Sequence, residues 1–318
     1  MVRRAYELWR ELERDAAEPL LLLTGGLMFG RPDSELVAGT RASAERYGLD
    51  HEVLTVSEIS RRFPAFRPEP DMVAVYEPRA GILFPEACVQ AHLSGARACG
   101  AQIHGDEPVL GWEADANGVS VTTRSGNYGA DLLIVSAGAW VGQLLESLEP
   151  PLVVERQVAF WFDPRSSPEH FSAANCPVHL WQFDGDRFAY GFPDLGNGVK
   201  VACHHQGVTG SPDSLTREVA VDEVENARSL IRRFLPDADG TFRSATACLY
   251  TNTPDEHFWI DRHPQYDNVL IASPCSGHGF KFASVIGEVL ADLATSGRSS
   301  FDLSPFRSRW PLRPGHPD

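Results

Sequence analysis

Residues 273–290, SPCSGHGFKFASVIGEVL, constrain this chain more than any other stretch, because strand, glycine-loop and helix signals meet there. Ahead of them VLIA at 269–272 follows Asp267-Asn268 and reads as a buried strand. Behind them Phe282, Val285, Ile286, Val289, Leu290 and Leu293 recur at helical spacing. The junction carries Gly277 and Gly279 around His278, then Lys281 at the expected helix start. Glycine lets backbone N–H groups approach a ligand, and a helix N-terminus favours an anion. The segment therefore reads as an anion-facing wall of a cofactor or substrate site. The alternative is a tight turn with a solvated Lys281 and a hydrogen-bonded His278.

The chain is long enough, at 318 residues and 43% hydrophobic, for a sizeable core in one or two domains. Its formal net charge of -15, with no compensating block of Lys or Arg, argues against a nucleic-acid partner. Near the N-terminus Glu7, Glu11, Glu13 and Asp15 interrupt any apolar leader, and the run 20–23 is far too short to span a bilayer. A cytoplasmic protein with no membrane partner is expected. Six cysteines (Cys88, Cys99, Cys176, Cys203, Cys248, Cys275) lack CxxC spacing, so neither a disulfide framework nor a metal site is expected.

The pattern predicts helices over 3–15, about 34–47 with Gly48 as C-cap, 86–99 after Pro85, 140–148 and 221–234, and a helical turn at 57–63. Residues 20–29 read as strand broken by Gly25-Gly26, and 102–135 as strands and turns ending in DLLIV. That last run, 131–135, suits a strand buried on both faces. After Pro150-Pro151 the segments VVERQVAFWF, HLWQF, RFAYGF and VKVACHH are aromatic and β-rich. The fold class is α/β, in two domains of α+β character: a layer built of separated pieces, with a mostly antiparallel sheet inserted between them.

Alternation along 199–204 places Val199, Val201 and Cys203 on one strand face and Lys200, Ala202 and His204 on the other. A hairpin through residues 193–198 brings Tyr190 near Lys200; a face open to water explains Lys200 equally well. Cys203, His204 and His205 point alternately and cannot converge on one metal ion. Cys248 and Tyr250 share a face of the strand around 246–251, where a lone Cys248 between alanine and leucine reads first as a small core residue.

ACLYTNTPDEHFWID, SGHGFKFASVIGEVLADL, SSFDLSPFR and YGFP, in this chain's arrangement, resemble the monomeric sarcosine oxidase and N-methyltryptophan oxidase family, flavin-dependent amine oxidases of the D-amino acid oxidase superfamily. The resemblance implies FAD held covalently through Cys248 or else Cys275. It implies a cavity lined by Tyr190, His204, Tyr250 and His278, and Lys281 paired with the substrate carboxylate. Lys200 would sit over the flavin and activate dioxygen, where a fixed cation stabilises superoxide. Gly277 and Gly279 would face the pyrimidine edge, which turns anionic on reduction, and Lys281 would belong to the cofactor-binding set as well. The implied reaction is oxidation of a secondary N-methyl amino acid such as sarcosine or N-methyltryptophan, with O2 as second substrate and hydrogen peroxide as product.

The family's opening strand, GxGxxG turn and helix are not found, so a first βαβ piece of at least ~30 residues is expected to be missing and the Rossmann-like domain truncated. The expected division is an FAD-binding domain over 1–17, 78–150 and 251–310, and a substrate domain over 18–77 and 151–250. A monomer is implied by the family, with association through apolar surface that the missing piece leaves bare. The alternatives are a noncatalytic remnant or binding module that holds no FAD, or a second polypeptide supplying the missing unit.

Overall fold

The β-branched and aromatic tracts after Pro151 pair with one another and with earlier strands in one nine-stranded sheet, in a computed structural model that describes residues 1–310. Val153–Phe162 runs through it, antiparallel to Phe242–Asn252 on one side and to Val199–His204 and Val208–Thr209 on the other. Arg187–Phe192 and Val178–Phe183 follow as antiparallel neighbours. Gly26–Gly30 then pairs parallel to Val178–Phe183, and Val73–Glu77 and Glu52–Thr55 complete the order.

One face of this sheet is covered by helix Val221–Phe234, whose Ala227, Leu230, Ile231 and Phe234 are buried with Val199 and Val201 in the largest core cluster. Full burial of a side chain such as Ile231 or Phe234 contributes ~1.5–3 kcal/mol. Trp181 ties the parallel pair into that core, with ring centroids 3.7 Å from Phe29 and 4.4 Å from Phe234. Because successive residues on a strand alternate, packing Val199 and Val201 under the helix turns Lys200 and His204 to the opposite face.

A three-stranded sheet of Trp259–Arg262, Val269–Ser273 and Leu133–Val135 lies elsewhere in the chain's fold, with the last two parallel. A meander, Val109–Asp115, Gly118–Thr123 and Asn127–Ala130, contributes Val119 to the same cluster as Val135, Trp259 and Ile271. Two expectations are corrected here. Only Leu133–Val135 of the run 131–135 is strand, and among these residues only Val135 is fully buried, since the strand has a paired neighbour along one edge alone among the described residues. Residues 140–148 form no single helix but turns at Gly138–Trp140, Val141–Leu144 and Glu146–Leu148. Val141, Leu145 and Leu148 supply the helical period by pointing into the core, while Gly142 and the lack of a side-chain cap leave the α-helix one turn long.

Helix Val2–Asp15 packs with Trp9 and Ala5 against Val285 of the last long helix, Ala283–Ser296, and Cys88 of helix Pro85–Ala98. No helix among the described residues is long and apolar enough to cross a membrane.

Candidate active site

Register decides what surrounds Lys200. Phe192, Lys200 and Trp161 are successive cross-strand partners, so their side chains form one row on the face away from helix Val221–Phe234. The ammonium lies 4.6 Å from the Phe192 ring centroid, 5.3 Å from Trp161 and 5.8 Å from Tyr190. Lys200 makes no ion pair among the described residues, and burial pulls its pKa below the usual lysine value, with Cys248 and Glu86 acting weakly the other way. A cation held by ring faces alone retains its charge for whatever enters the space beside it.

His204, on the same face, sits where two further elements meet it. Its Nδ1 is 3.2 Å from the Tyr250 hydroxyl, and its ring is 6.3 Å from that of Tyr190 in an edge-on arrangement. Tyr190 and Tyr250 also share a hydrogen bond. Burial pushes the His204 imidazole down to about 4, assisted by His205, His278 and Lys281 and opposed by Glu155. It is therefore neutral at pH 7. Burial raises both tyrosines, so their hydroxyls stay protonated.

The loop 274–279 closes over this cluster. Buried Ser276 donates its hydroxyl to His257 O at 2.8 Å and its N–H to Thr251 O at 2.9 Å, next to Tyr250. Gly277 follows at φ +73°, where a Cβ would lie 2.5 Å from Tyr250 Cε2 and 2.8 Å from His204 Cε1. Gly279 is needed for a different reason, since its Cβ would lie 1.6 Å from Pro274 O. His278 hydrogen bonds through Nε2 to Glu256 O at 2.9 Å. Lys281, expected at the start of the helix, stands in a 3-10 turn, Phe280–Phe282, ahead of it; its ammonium donates to His278 O at 2.9 Å. Burial lowers the pKa values of His278 and Lys281.

The two candidate cysteines differ in placement. Cys248 pairs with Gln157 across the central strand and lies four residues from Ser244, the partner of Trp161, so it shares the face that bears Lys200. Its thiol donates to Gln157 O at 3.5 Å; burial raises its pKa and Lys200 opposes the rise. Cys275 lies in the loop, and burial raises its pKa also. Sequence reasoning missed Trp161 and Phe192 beside Lys200, and His205, whose ring is 4.1 Å from that of His204. Their aromatic character was visible, but the strand register that unites them was not.

A family profile described as FAD dependent oxidoreductase matches residues 1–293. Monomeric sarcosine oxidase of Streptomyces avermitilis is 43% identical over 313 residues, 97% of this chain and 82% of the relative. N-methyl-L-tryptophan oxidase of Escherichia coli is 36% identical over 313 residues, 96% and 82% of the two chains. Among solved structures, glycine oxidase from Geobacillus kaustophilus superposes with a TM-score of 0.82 at 20% identity, covering 97% of this chain and 81% of the other. The chain thus belongs to the FAD-dependent oxidoreductases, within the group of monomeric sarcosine oxidases and N-methyltryptophan oxidases, and its fold is that of the amino acid oxidases.

Proposed function

We propose that this chain oxidises secondary, N-methyl amino acids such as sarcosine or N-methyltryptophan, using FAD and O2 and releasing hydrogen peroxide. The observation that carries the reading is the half-buried Lys200 ammonium, without an ion pair among the described residues, on the same sheet face as Cys248 and His204, with the Tyr190–Tyr250–His204 cluster beside it. The residues present fit the ring end of FAD: an aromatic-flanked cation and a thiol on its face. Cys248, rather than Cys275, is our choice for the covalent anchor. The chemistry that FAD supplies when bound is acceptance of a hydride from the carbon beside the amine, with the electron pair then passed to O2.

The chain's own groups bind and orient. Lys281 spends one N–H on His278 O and has others for the substrate carboxylate, with His278 beside it. Tyr190 and Tyr250 wall the cavity and keep their hydroxyl protons. Two ammonium groups, half-buried Lys200 and exposed Lys281, disfavour a third cation beside them, so a bound secondary amine is driven toward its neutral form, which hydride departure requires; neutral His204 adds no further positive charge. Lys200 is the group placed to stabilise negative charge developing on dioxygen. We read residues 18–77 and 151–250, which supply all nine strands of the large sheet apart from the last two residues of Phe242–Asn252, as the substrate domain, and 1–17, 78–150 and 251–310 as the FAD-binding domain.

The test is a visible absorption spectrum of the purified chain, with and without added FAD, repeated after acid precipitation. Yellow colour staying with the pellet, and lost to the supernatant in Cys248→Ala but not in Cys275→Ala, is expected, together with peroxide formation from an N-methyl amino acid. A chain that stays colourless with added FAD is instead a module that holds no flavin.

A further inference from the structure

One buried acid lies against this site without a part in it. Glu155 is 6% exposed and stands on the central strand directly opposite Tyr250. Its Oε1 accepts from Gln157 Nε2 at 2.6 Å and the Gly207 N–H at 2.7 Å; its Oε2 accepts from Asn252 Nδ2 at 2.9 Å and His205 Nδ1 at 3.2 Å. A carboxylate offers about four lone-pair sites, so this one is saturated.

The donors are what give the acid its meaning. His205 and Gly207 belong to the turn that leaves the strand carrying His204, and Asn252 ends the strand carrying Tyr250. The turn is held in a conformation it would not choose: His205 has φ +52°, a left-handed setting that costs a non-glycine residue ~1 kcal/mol or more. Gly207 presses so closely that a Cβ there would lie 1.7 Å from Arg156 O. The His205 ring, fixed through Nδ1, packs 4.1 Å from the His204 ring and 5.4 Å from that of Tyr250. Its Nε2 faces exposed Glu256 at 4.0 Å.

We propose that Glu155 is a positioning residue, which acts through His205 to hold His204 against the Tyr250 hydroxyl. One buried charge gathers the ends of the two strands that carry this hydrogen-bonded pair, and His205 is the side chain that passes the constraint on. The consequence for turnover rests on the oxidase reading above; the constraint on His204 does not.

The experiment separates the two. Imidazole 15N NMR spectra of histidine-labelled protein are recorded for wild type, Glu155→Gln, His205→Asn and His205→Leu, and kcat and KM are measured with sarcosine on the same preparations. Asparagine tolerates the left-handed backbone and can still donate to Glu155, whereas leucine is disfavoured in that setting and has no donor. The His204 signals should move in Glu155→Gln and His205→Leu and stay near wild type in His205→Asn. Correspondingly kcat should fall about 10-fold in the first two, with KM within about 3-fold, and recover in His205→Asn, since small misplacement of catalytic groups is read mainly in turnover. If Glu155→Gln fails to fold, the His205 pair alone decides. Unmoved His204 signals in His205→Leu, or equal losses in Asn and Leu, overturn the proposal. Signals that move as expected in a protein that oxidises no N-methyl amino acid uphold Glu155's role and remove the oxidase reading instead.

Discussion

At the scale of a residue, Lys200 is where physical cost and proposed use are both visible. A half-buried ammonium with a depressed pKa binds its proton less tightly in the folded than in the unfolded chain. Below its folded pKa the full penalty is present; between that value and the unfolded 10.5 the penalty fades as pH rises. Lys200→Met removes it while filling the space between Phe192 and Trp161. We therefore expect the variant without flavin to be more stable than wild type at pH 7, with the gap narrowing as pH rises toward 10.5, measured by thermal melts across that range. In flavin-loaded protein the same variant should slow reoxidation by O2 far more than reduction by substrate, read by stopped-flow absorbance. Unchanged oxygen reactivity would remove the role given to Lys200. Period-two alternation was enough to read Lys200 and His204 onto one face from sequence. It could not name Trp161, because which strand lies beside VKVACH is set by pairing over a separation of some forty residues, nor could it foresee the left-handed turn at His205.

Among the elements, the loop 274–279 shows how glycines of different kinds act differently. Gly277 has positive φ and no room for a Cβ against Tyr250 and His204, whereas Gly95 lies within helix Pro85–Ala98 with nothing within 4 Å of its Cβ position. Alanine at 277 must strain the backbone and push the two rings apart; alanine at 95 only restricts the unfolded chain and favours the helix. Gly277→Ala should lose about 1–3 kcal/mol in urea unfolding, and Gly95→Ala should gain about 0.5–1 kcal/mol. Equal effects would mean that the loop adapts and Gly277 is not required by contact. The sequence located this loop between a strand and a helix, and the strand Val269–Ser273 and helix Ala283–Ser296 lie around it. The intervening 3-10 turn that carries Lys281 had no signature, because Phe282 fits the helical period that continues through Val285, Ile286 and Val289.

Across the whole molecule, the loop that carries Lys281 is braced by a helix from the other end of the chain. Trp9, 2% exposed, donates its indole N–H to Lys281 O at 2.9 Å and packs against Phe280 and His92, while Arg4 pairs with Glu288 at 2.7 Å on the last long helix. The pattern of residues 3–15 announced a helix, but a hydrogen bond from Trp9 to a residue 272 positions away lies beyond any local pattern. Two contributions can be separated there. Trp9→Phe keeps most of the apolar contact and removes the donor, leaving Lys281 O without that partner, and should cost about 1 kcal/mol. Trp9→Ala also opens a cavity beside Cys88 and Val285, and should cost about 3–5 kcal/mol. Both are read by urea unfolding at constant pH, with the slope checked for unchanged exposed area. If Trp9→Phe matches wild type, the indole bond does not brace the Lys281 turn and packing alone joins the two ends; if it costs as much as Trp9→Ala, the bond outweighs the packing, and the helix serves the site mainly by fixing that one carbonyl.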